Sequence, residues 1–385
     1  MSTPEIGVGV IGMGWMGQVH TRAHLRLRHH YPAPPLRPVL VAVADPEPGR
    51  AAAAAGQYGF AMSTVDWREL LADPRVQAVS VTAPNFLHRE IGVAAAQAGK
   101  HLWVEKPVGA VAADARAVAA AVAAAGVASA VGFNYRNAPA VVTARQLIAA
   151  GDLGTPTHAR FYLRSDYAAH PRGGLSWRFE RERGGTGVLG DLASHGIDLA
   201  RYLVGEIDAV VADTAVIIPR RPQPSGARSH FALATGEPGD VENEDEVGCL
   251  LRFAGGARGT LEASRVSVGD QNTYGFAVHG TRGLVAWDFR RMGELRVSTG
   301  EQYQNQGVQV RYVGPGDGEY GAFQPGAGIA MGYDDLKVIE AAAFLRAVAE
   351  GKPHGATVED AVRSAEVVDA MVESVRSGAW VGVAR

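Results

Sequence analysis

The chain has 385 residues, 47% hydrophobic, 20% charged and 7% aromatic, a balance that excludes a disordered polymer and supplies apolar material for two or three domains. Its 37 Lys and Arg nearly offset its 40 Asp and Glu, so the formal charge of −3 lacks the basic excess of a nucleic-acid binder, and there is no acidic tail. One cysteine (Cys249) cannot pair internally, the opening residues lack a signal-peptide pattern, and the longest low-polarity stretch, 117–133, is interrupted by Gly126 and Ser129, so the expectation is a soluble cytoplasmic protein with no membrane partner.

In chain order, 5–11 (EIGVGVI) reads as a short strand and 15–30 as a helix. The run 39–44 (VLVAVA) is a second strand ending at Asp45, and Ala-rich 47–58 is the next helix. Strands at 76–82, 101–104 and 127–133 then alternate with helices over 87–98 and 111–125. Short apolar strands alternating with helices predict parallel βαβ units covered on both faces. After a helix at 139–150 the pattern changes to strand-like runs at 157–164, 208–218, 246–253, 257–266, 272–279 and 283–287. AGGA at 254–257 and GTRG at 280–283 read as hairpin turns, and one helix, 189–204, interrupts the strands. This predicts an α+β domain with a large, mostly antiparallel open sheet. Helices return at 334–350 and 357–376.

Gly12-Met13-Gly14-Trp15-Met16-Gly17 is a G-x-G-x-x-G between the first strand and its helix. Gly12 permits the tight turn, Gly14 lets a pyrophosphate approach the backbone, and Gly17 lets the helix pack closely on the strand. The helix N-terminus offers free N–H groups and a partial positive charge to phosphates. Asp45 ends the second strand, where a carboxylate accepts hydrogen bonds from ribose hydroxyls and repels a 2′-phosphate, so NAD is favoured over NADP although Arg50 is near in sequence. The long spacing from Gly17 to Asp45 has a visible source in 29–38 (HHYPAPPLRP), an extended proline-rich insertion. The fold class is therefore α/β, a Rossmann doubly wound parallel sheet over 1–134, followed by the α+β substrate and oligomerisation domain over 135–330. The helices of 331–385 are expected to pack back on the first domain. A further surplus over a minimal fold lies in 219–243.

Three other segments carry chemistry. The third strand exits through Thr82-Ala83-Pro84-Asn85-Phe86-Leu87-His88, and the next ends in Glu105-Lys106-Pro107. Both exits fall at the carboxyl edge of the sheet, where ligands of open α/β folds bind. Downstream, a glycine-rich turn from Gly184 leads through Gly190 into Asp191-Leu192-Ala193-Ser194-His195, whose i, i+4 spacing predicts Asp191 and His195 on one helix face. An imidazole titrating near neutrality suits removal of a hydroxyl proton. His20 and His24 also lie i, i+4, but no acid or cysteine joins them in sequence; they read as a solvated helix face, and no metal is expected.

From the fingerprint to the C-terminal helices, these motifs resemble the Gfo/Idh/MocA family of sugar and cyclitol dehydrogenases. Gly132-Phe133-Asn134-Tyr135-Arg136 and Leu175-Ser176-Trp177-Arg178-Phe179 narrow the match to oxidants of pyranose-like rings. The resemblance implies catalytic roles for Lys106, Asp191 and His195. Lys106 would face the developing alkoxide, Asp191 would orient His195, and proton handling would be shared between Lys106 and His195 in a proportion left open. It implies cofactor contacts from Gly12, Met13, Gly14, Trp15, Met16, Gly17, Asp45, Thr82, Pro84, Asn85, His88, Glu105, Lys106, Trp177 and Arg178. Pro107 resembles the family's cis-proline, which would fix the lysine's direction. His88 either touches the cofactor or only caps its helix. Lys106, Tyr135, Arg136, Asp166, Tyr167, Asp191, His195 and Tyr333 would line the pocket for a small polyhydroxylated substrate; Trp177 and Tyr333 could equally be core aromatics.

The implied reaction oxidises a secondary hydroxyl of a sugar, a cyclitol or a levoglucosan-like anhydrosugar, the last at C3 to a 3-keto product. Two other readings share the cofactor residues: a glycosidase that retains NAD and oxidises transiently, and a non-catalytic sugar or NAD sensor. The intact Lys106, Asp191 and His195 argue against the sensor. A homodimer or homotetramer is expected, because the outer face of a broad sheet in 208–298 needs cover.

Overall fold

A computed structural model describes residues 3–47, 49–224 and 233–384, so 225–232, within the surplus expected at 219–243, lie outside the described residues. The chain divides into two units, residues 1–137 with 331–362 and residues 138–330 with 363–385.

The first unit begins with β1 (Glu5–Ile11), α1 (Trp15–His30), β2 (Arg37–Ala44), α2 (Arg50–Tyr58), β3 (Met62–Thr64), α3 (Trp67–Ala72), β4 (Ala78–Val81), α4 (His88–Gln97), β5 (His101–Val104), α5 (Ala112–Ala125) and β6 (Ser129–Val131). Its six strands are parallel in the order β3-β2-β1-β4-β5-β6. The order reverses between β1 and β4, the switch point outside which dinucleotides bind. Val8, Val10, Val43, Val79, Val81, Leu102 and Val104 are fully buried, as continuous apolar runs must be when helices cover both faces. The sequence pattern did not reveal β3 and α3. β3 is a three-residue edge strand without an apolar run, and α3 owes its start to the Asp66 side chain, which accepts from Arg68 N at 3.0 Å. The proline-rich insertion is shorter than expected, because α1 continues to His30 and β2 already begins at Arg37.

The second unit contains α6 (Pro139–Ala149), β7 (Pro156–Arg164), α7 (Arg181–Gly184), α8 (Ser194–Leu203), β8 (Ile207–Ala215), β9 (Arg220–Pro222), β10 (Pro238–Asp240), β11 (Glu246–Phe253), β12 (Arg258–Ser264), β13 (Thr273–Gly280), β14 (Gly283–Asp288), β15 (Glu294–Thr299) and β16 (Gln309–Tyr312). The tail adds α9 (Tyr333–Glu350), α10 (Val358–Ser377) and β17 (Val381–Gly382). The large sheet runs β16-β15-β14-β13-β7-β12-β11-β8-β17, antiparallel except where β7 meets β12. In β11 buried Val247, Cys249, Leu251 and Phe253 alternate with outward residues, so one face of this strand is packed. Burial pushes the Cys249 thiol up to about 12.

The tail does not follow one unit as expected. α9 belongs to the first, where Asp334 and Asp335 pair with Arg22 and Arg26 of α1 at 2.6 and 2.5 Å. Residues 363–385 belong to the second, because β17 adds to the open edge of β8. Among the described residues no helix is long and apolar enough to cross a membrane.

Candidate active site

In the first unit the fingerprint forms a cradle of backbone. Gly12 adopts φ +91° and donates its N–H to Ala44 O at 2.8 Å, and a Cβ there would lie 2.7 Å from Ala83 N. A Cβ at Gly17 would lie 2.0 Å from Gly12 O. Thr82 Oγ1 closes the turn by donating to Gly12 O at 2.5 Å. Gly14 is the N-cap of α1; it has no side-chain cap, and nothing lies within 4 Å of where its Cβ would be. An uncapped helix N-terminus beneath open space fits a pyrophosphate. Asp45 accepts from Met13 N at 2.7 Å and Glu47 N at 2.9 Å, which holds the carboxylate where a ribose would meet it. Arg50 Nη1 lies 3.2 Å from Asp45 Oδ1, so the arginine that is near in sequence is near in space as well. These residues fit a bound NAD.

Beside the cradle, Trp15 is 66% exposed and stacks on Tyr333 at 5.3 Å. Met16 Sδ lies 3.7 Å from the Tyr333 hydroxyl, and buried Tyr135 sets its ring edge toward Tyr333. Pro84 and Asn85 open a short 3-10 turn before α4, with Asn85 buried. His88 faces two backbone carbonyls, Pro107 O from Nδ1 and Ala83 O from Nε2, each at 2.7 Å. Burial lowers its pKa despite those contacts; a neutral ring carries one N–H, so it donates to one carbonyl while bridging both strand exits. Lys106 is half-buried, and its peptide bond to Pro107 is cis. Arg136 is buried and pairs with Asp360 at 3.2 Å within the same unit.

The Glu105 carboxylate is held inside the unit. It accepts from His20 Nε2 at 2.8 Å and from Lys337 Nζ at 2.5 Å, and Lys337 also donates to Glu340 Oε1 at 2.9 Å. His20 and His24 are therefore not a solvated face. Both are buried, because α1 turns this side toward the sheet and α9: His20 stacks on Trp103, and His24 meets Ser80 Oγ of β4 at 3.0 Å. Burial lowers their pKa values to about 4 and about 3. Acids do join His20 in space: potential ligand atoms of His20, Glu105 and Glu340 lie within 4.8 Å of one another. The Lys337 ammonium already lies among these carboxylates and supplies the positive charge a metal would bring.

In the second unit the expected helix begins differently. Leu189–Ala193 is a π turn that passes into α8 at Ser194, so Asp191 and His195 are not offset as in a regular α-helix. π segments recur at functional sites. His195 is buried and Asp191 half-buried. The Tyr167 hydroxyl donates to Asp191 Oδ2. Burial first, then the Asp191 charge, raises the Tyr167 pKa well above its usual value and keeps the phenol protonated as a donor. Tyr274 on β13 is raised by the same two causes, which places it near Asp191 too. Asp166 is half-buried and receives a long contact from Gln271 Nε2 at 3.4 Å. Trp177 and Arg178 form a short turn with the guanidinium 4.3 Å over the indole. The glycine-rich turn is strapped down by Glu244, whose Oε1 accepts from Gly187 N at 2.7 Å and Leu189 N at 3.0 Å. A Cβ at Gly187 would lie 2.2 Å from Glu244 O, which explains the glycine.

Sequence reasoning missed Lys337, Glu340, Glu244 and Tyr274. Lys337 and Glu340 read as an ordinary i, i+3 surface pair, and Glu244 sits in an acidic run (ENED) that reads as solvated. The short alternation around Tyr274 was the one available signal for an inward aromatic.

The fold and cradle define a dinucleotide-dependent oxidoreductase. Residues 6–133 match the model of the oxidoreductase family with an NAD-binding Rossmann fold, and 141–286 match the GFO/IDH/MocA C-terminal domain. A levoglucosan dehydrogenase of Pseudarthrobacter phenanthrenivorans is 40% identical, covering 98% of both chains. An inositol 2-dehydrogenase of Rhizobium meliloti is 28% identical, again over 98% of both. The structure of a levoglucosan dehydrogenase in complex with NADH and levoglucosan superimposes with a TM-score of 0.93 at 37% identity, covering 99% of this chain and 100% of that one. The chain belongs to the Gfo/Idh/MocA family of NAD-binding oxidoreductases.

Proposed function

We propose that this protein is an NAD-dependent dehydrogenase of a secondary hydroxyl on a sugar, anhydrosugar or cyclitol, with C3 of a levoglucosan-like ring as the favoured position. The observation that carries this reading is 40% identity to a levoglucosan dehydrogenase over 98% of both chains, with Lys106, Asp191 and His195 all present. NAD would supply the hydride acceptor; Gly14 and the α1 N-terminus would hold its pyrophosphate, and Asp45 its adenosine ribose. Lys106 stabilises negative charge on the substrate oxygen, a preorganised electrostatic contribution. His195 accepts the hydroxyl proton at an imidazole nitrogen, and Asp191, fixed by Tyr167, keeps the ring oriented and stabilises the imidazolium. Aromatic faces such as Tyr333 suit the C–H faces of a sugar ring.

The test is a panel of monosaccharides, anhydrosugars and inositols scored by NADH absorbance. Reduction of NAD by at least one ring substrate, lost in Lys106→Ala, supports the reading. Cleavage of a glycosidic bond without net NADH would instead establish the NAD-retaining glycosidase. Tight NADH binding with no turnover on any member would leave a sensor. The single buried cysteine supports placing the activity in the reducing cytoplasm. The broad second-unit sheet supports a homodimer or homotetramer, read by sedimentation.

A further inference from the structure

The buried ions of the first unit converge on the residue immediately before Lys106. Lys337 and Glu340 of α9, Glu105 at the exit of β5 and His20 of α1 are all buried, and Trp103 Nε1 donates to Glu340 Oε1 at 2.7 Å. Stability alone is a poor account of such a cluster, since replacing buried ions with apolar groups is often neutral or stabilising. Its location offers a better one. Glu105 N donates to Val81 O at 2.9 Å, and Gly132 N donates to Val104 O at 3.0 Å, so backbone bonds fix the strand up to Glu105. A Cβ at Gly132 would lie 2.5 Å from the Glu105 carboxylate oxygens, so the backbone just after β6 closes one side of that side chain. Lys337 and His20 grip the same oxygen, Oε1, at 2.5 and 2.8 Å.

We propose that Lys337 is a positioning residue: by clamping the Glu105 carboxylate it sets the direction in which Lys106 leaves β5, and the protonation state of Glu340 tunes the clamp. This rests on Lys106 acting at the substrate oxygen. A misplacement of about 1 Å at a reacting group can cost about 100-fold in rate, so the clamp matters more to turnover than to folding. Glu340 faces Lys337 on its own helix, Glu105 and Trp103 from β5 and its exit, and His20 from α1, with His24 edge-on to Trp103. Burial raises Glu340 to about 7, so near neutral pH its ionised form competes with Glu105 for the ammonium.

The experiment uses the full-length protein. It contains four lysines, Lys100, Lys106, Lys337 and Lys352, so 13C-methylated amines give few resonances, and Lys106→Arg assigns the one that matters. In Lys337→Met/Glu340→Leu, Glu105 keeps His20 as a partner. We expect NADH affinity within about 3-fold of wild type, a displaced Lys106 resonance, and kcat at least about 10-fold lower with the substrate KM within about 3-fold. An unmoved Lys106 resonance, or a kcat within about 2-fold of wild type, overturns the clamp. Glu340→Gln retains the ammonium and serves if the double variant does not fold. Wild type should show a Trp103 indole N–H shift near neutral pH that Glu340→Gln lacks; absence of the shift in wild type, or its persistence in the variant, overturns the role of Glu340. Both resonances are read without turnover. A wild type that reduces no NAD on the substrate panel therefore defeats the proposed function, whereas an unmoved Lys106 defeats the clamp.

Discussion

The Gly12–Gly17 cradle and the Asp191–His195 segment are built from different materials. The cradle is backbone: two glycines, Gly12 and Gly17, with no room for a Cβ, a third, Gly14, beneath open space at a helix N-terminus, and one carboxylate fixed by two N–H groups. The Asp191 segment is side chain: a phenol on a carboxylate, a second tyrosine nearby, and a glutamate strapping the turn beneath. A dinucleotide has invariant phosphates that a backbone can hold, whereas a substrate differs from enzyme to enzyme and is met by replaceable side chains. The lesson is that binding and chemistry should separate under mutation.

The sharpest way to break that separation is His195→Gln, which should lower kcat about 1,000-fold, within the usual span for losing a general base. NADH affinity, measured by fluorescence titration, should stay within about 2-fold, and an equal loss of affinity would mean the two segments are not separable. On the cradle side, Gly17→Ala places a methyl 2.0 Å from Gly12 O and should cost about 100-fold in NADH affinity along with a lower melting temperature. Gly14→Ala meets no protein atom, so it should melt within about 2 °C of wild type while still weakening NADH about 10-fold.

The pH dependence of stability should also divide by unit. His20 and His24 have folded pKa values of about 4 and about 3 against 6.5 unfolded. The unfolded chain therefore protonates these two histidines first as pH falls below 6.5, and each withdraws up to about 2 kcal/mol of stability by pH 5. Glu340, raised to about 7, works the other way, because the folded state takes up its proton first, so the net loss between pH 7 and pH 5 is smaller than the histidine sum. Urea midpoints at pH 7 and pH 5 measure it, and His24→Leu should shrink the difference. The smallest expected effect is Tyr167→Phe, which removes one hydrogen bond to Asp191 and should lower kcat about 10-fold with NADH affinity unchanged.

The same division explains what was legible in the sequence. The cradle was readable because Gly12 and Gly17 answer local steric demands and Gly14 keeps the helix N-terminus open, and Lys106 and His195 because their motifs are contiguous. Lys337 was not, since it shares no motif with Glu105 and meets it only where α9 packs beside α1. The histidines of α1 were misread for the same reason: covering the helix on that side is a tertiary event. The π turn was also hidden: the Glu244 side chain that accepts from Gly187 N and Leu189 N at its start comes from a distant segment. The strand runs of the second unit read well from β7 to β14 where side chains alternate, but the short β9 and β10, the edge pair β15 and β16 and the two-residue β17 were not read.

Cys249 has a practical consequence. Its thiol is buried in β11 and pushed up to about 12, so at neutral pH almost none of it is the reactive thiolate. The native chain should therefore be silent to alkylating reagents and mild oxidants. A cysteine introduced at an exposed position outside the fingerprint, such as Val372 of α10, would be the sole reactive thiol, a ready attachment point for a spectroscopic label without stripping the background first.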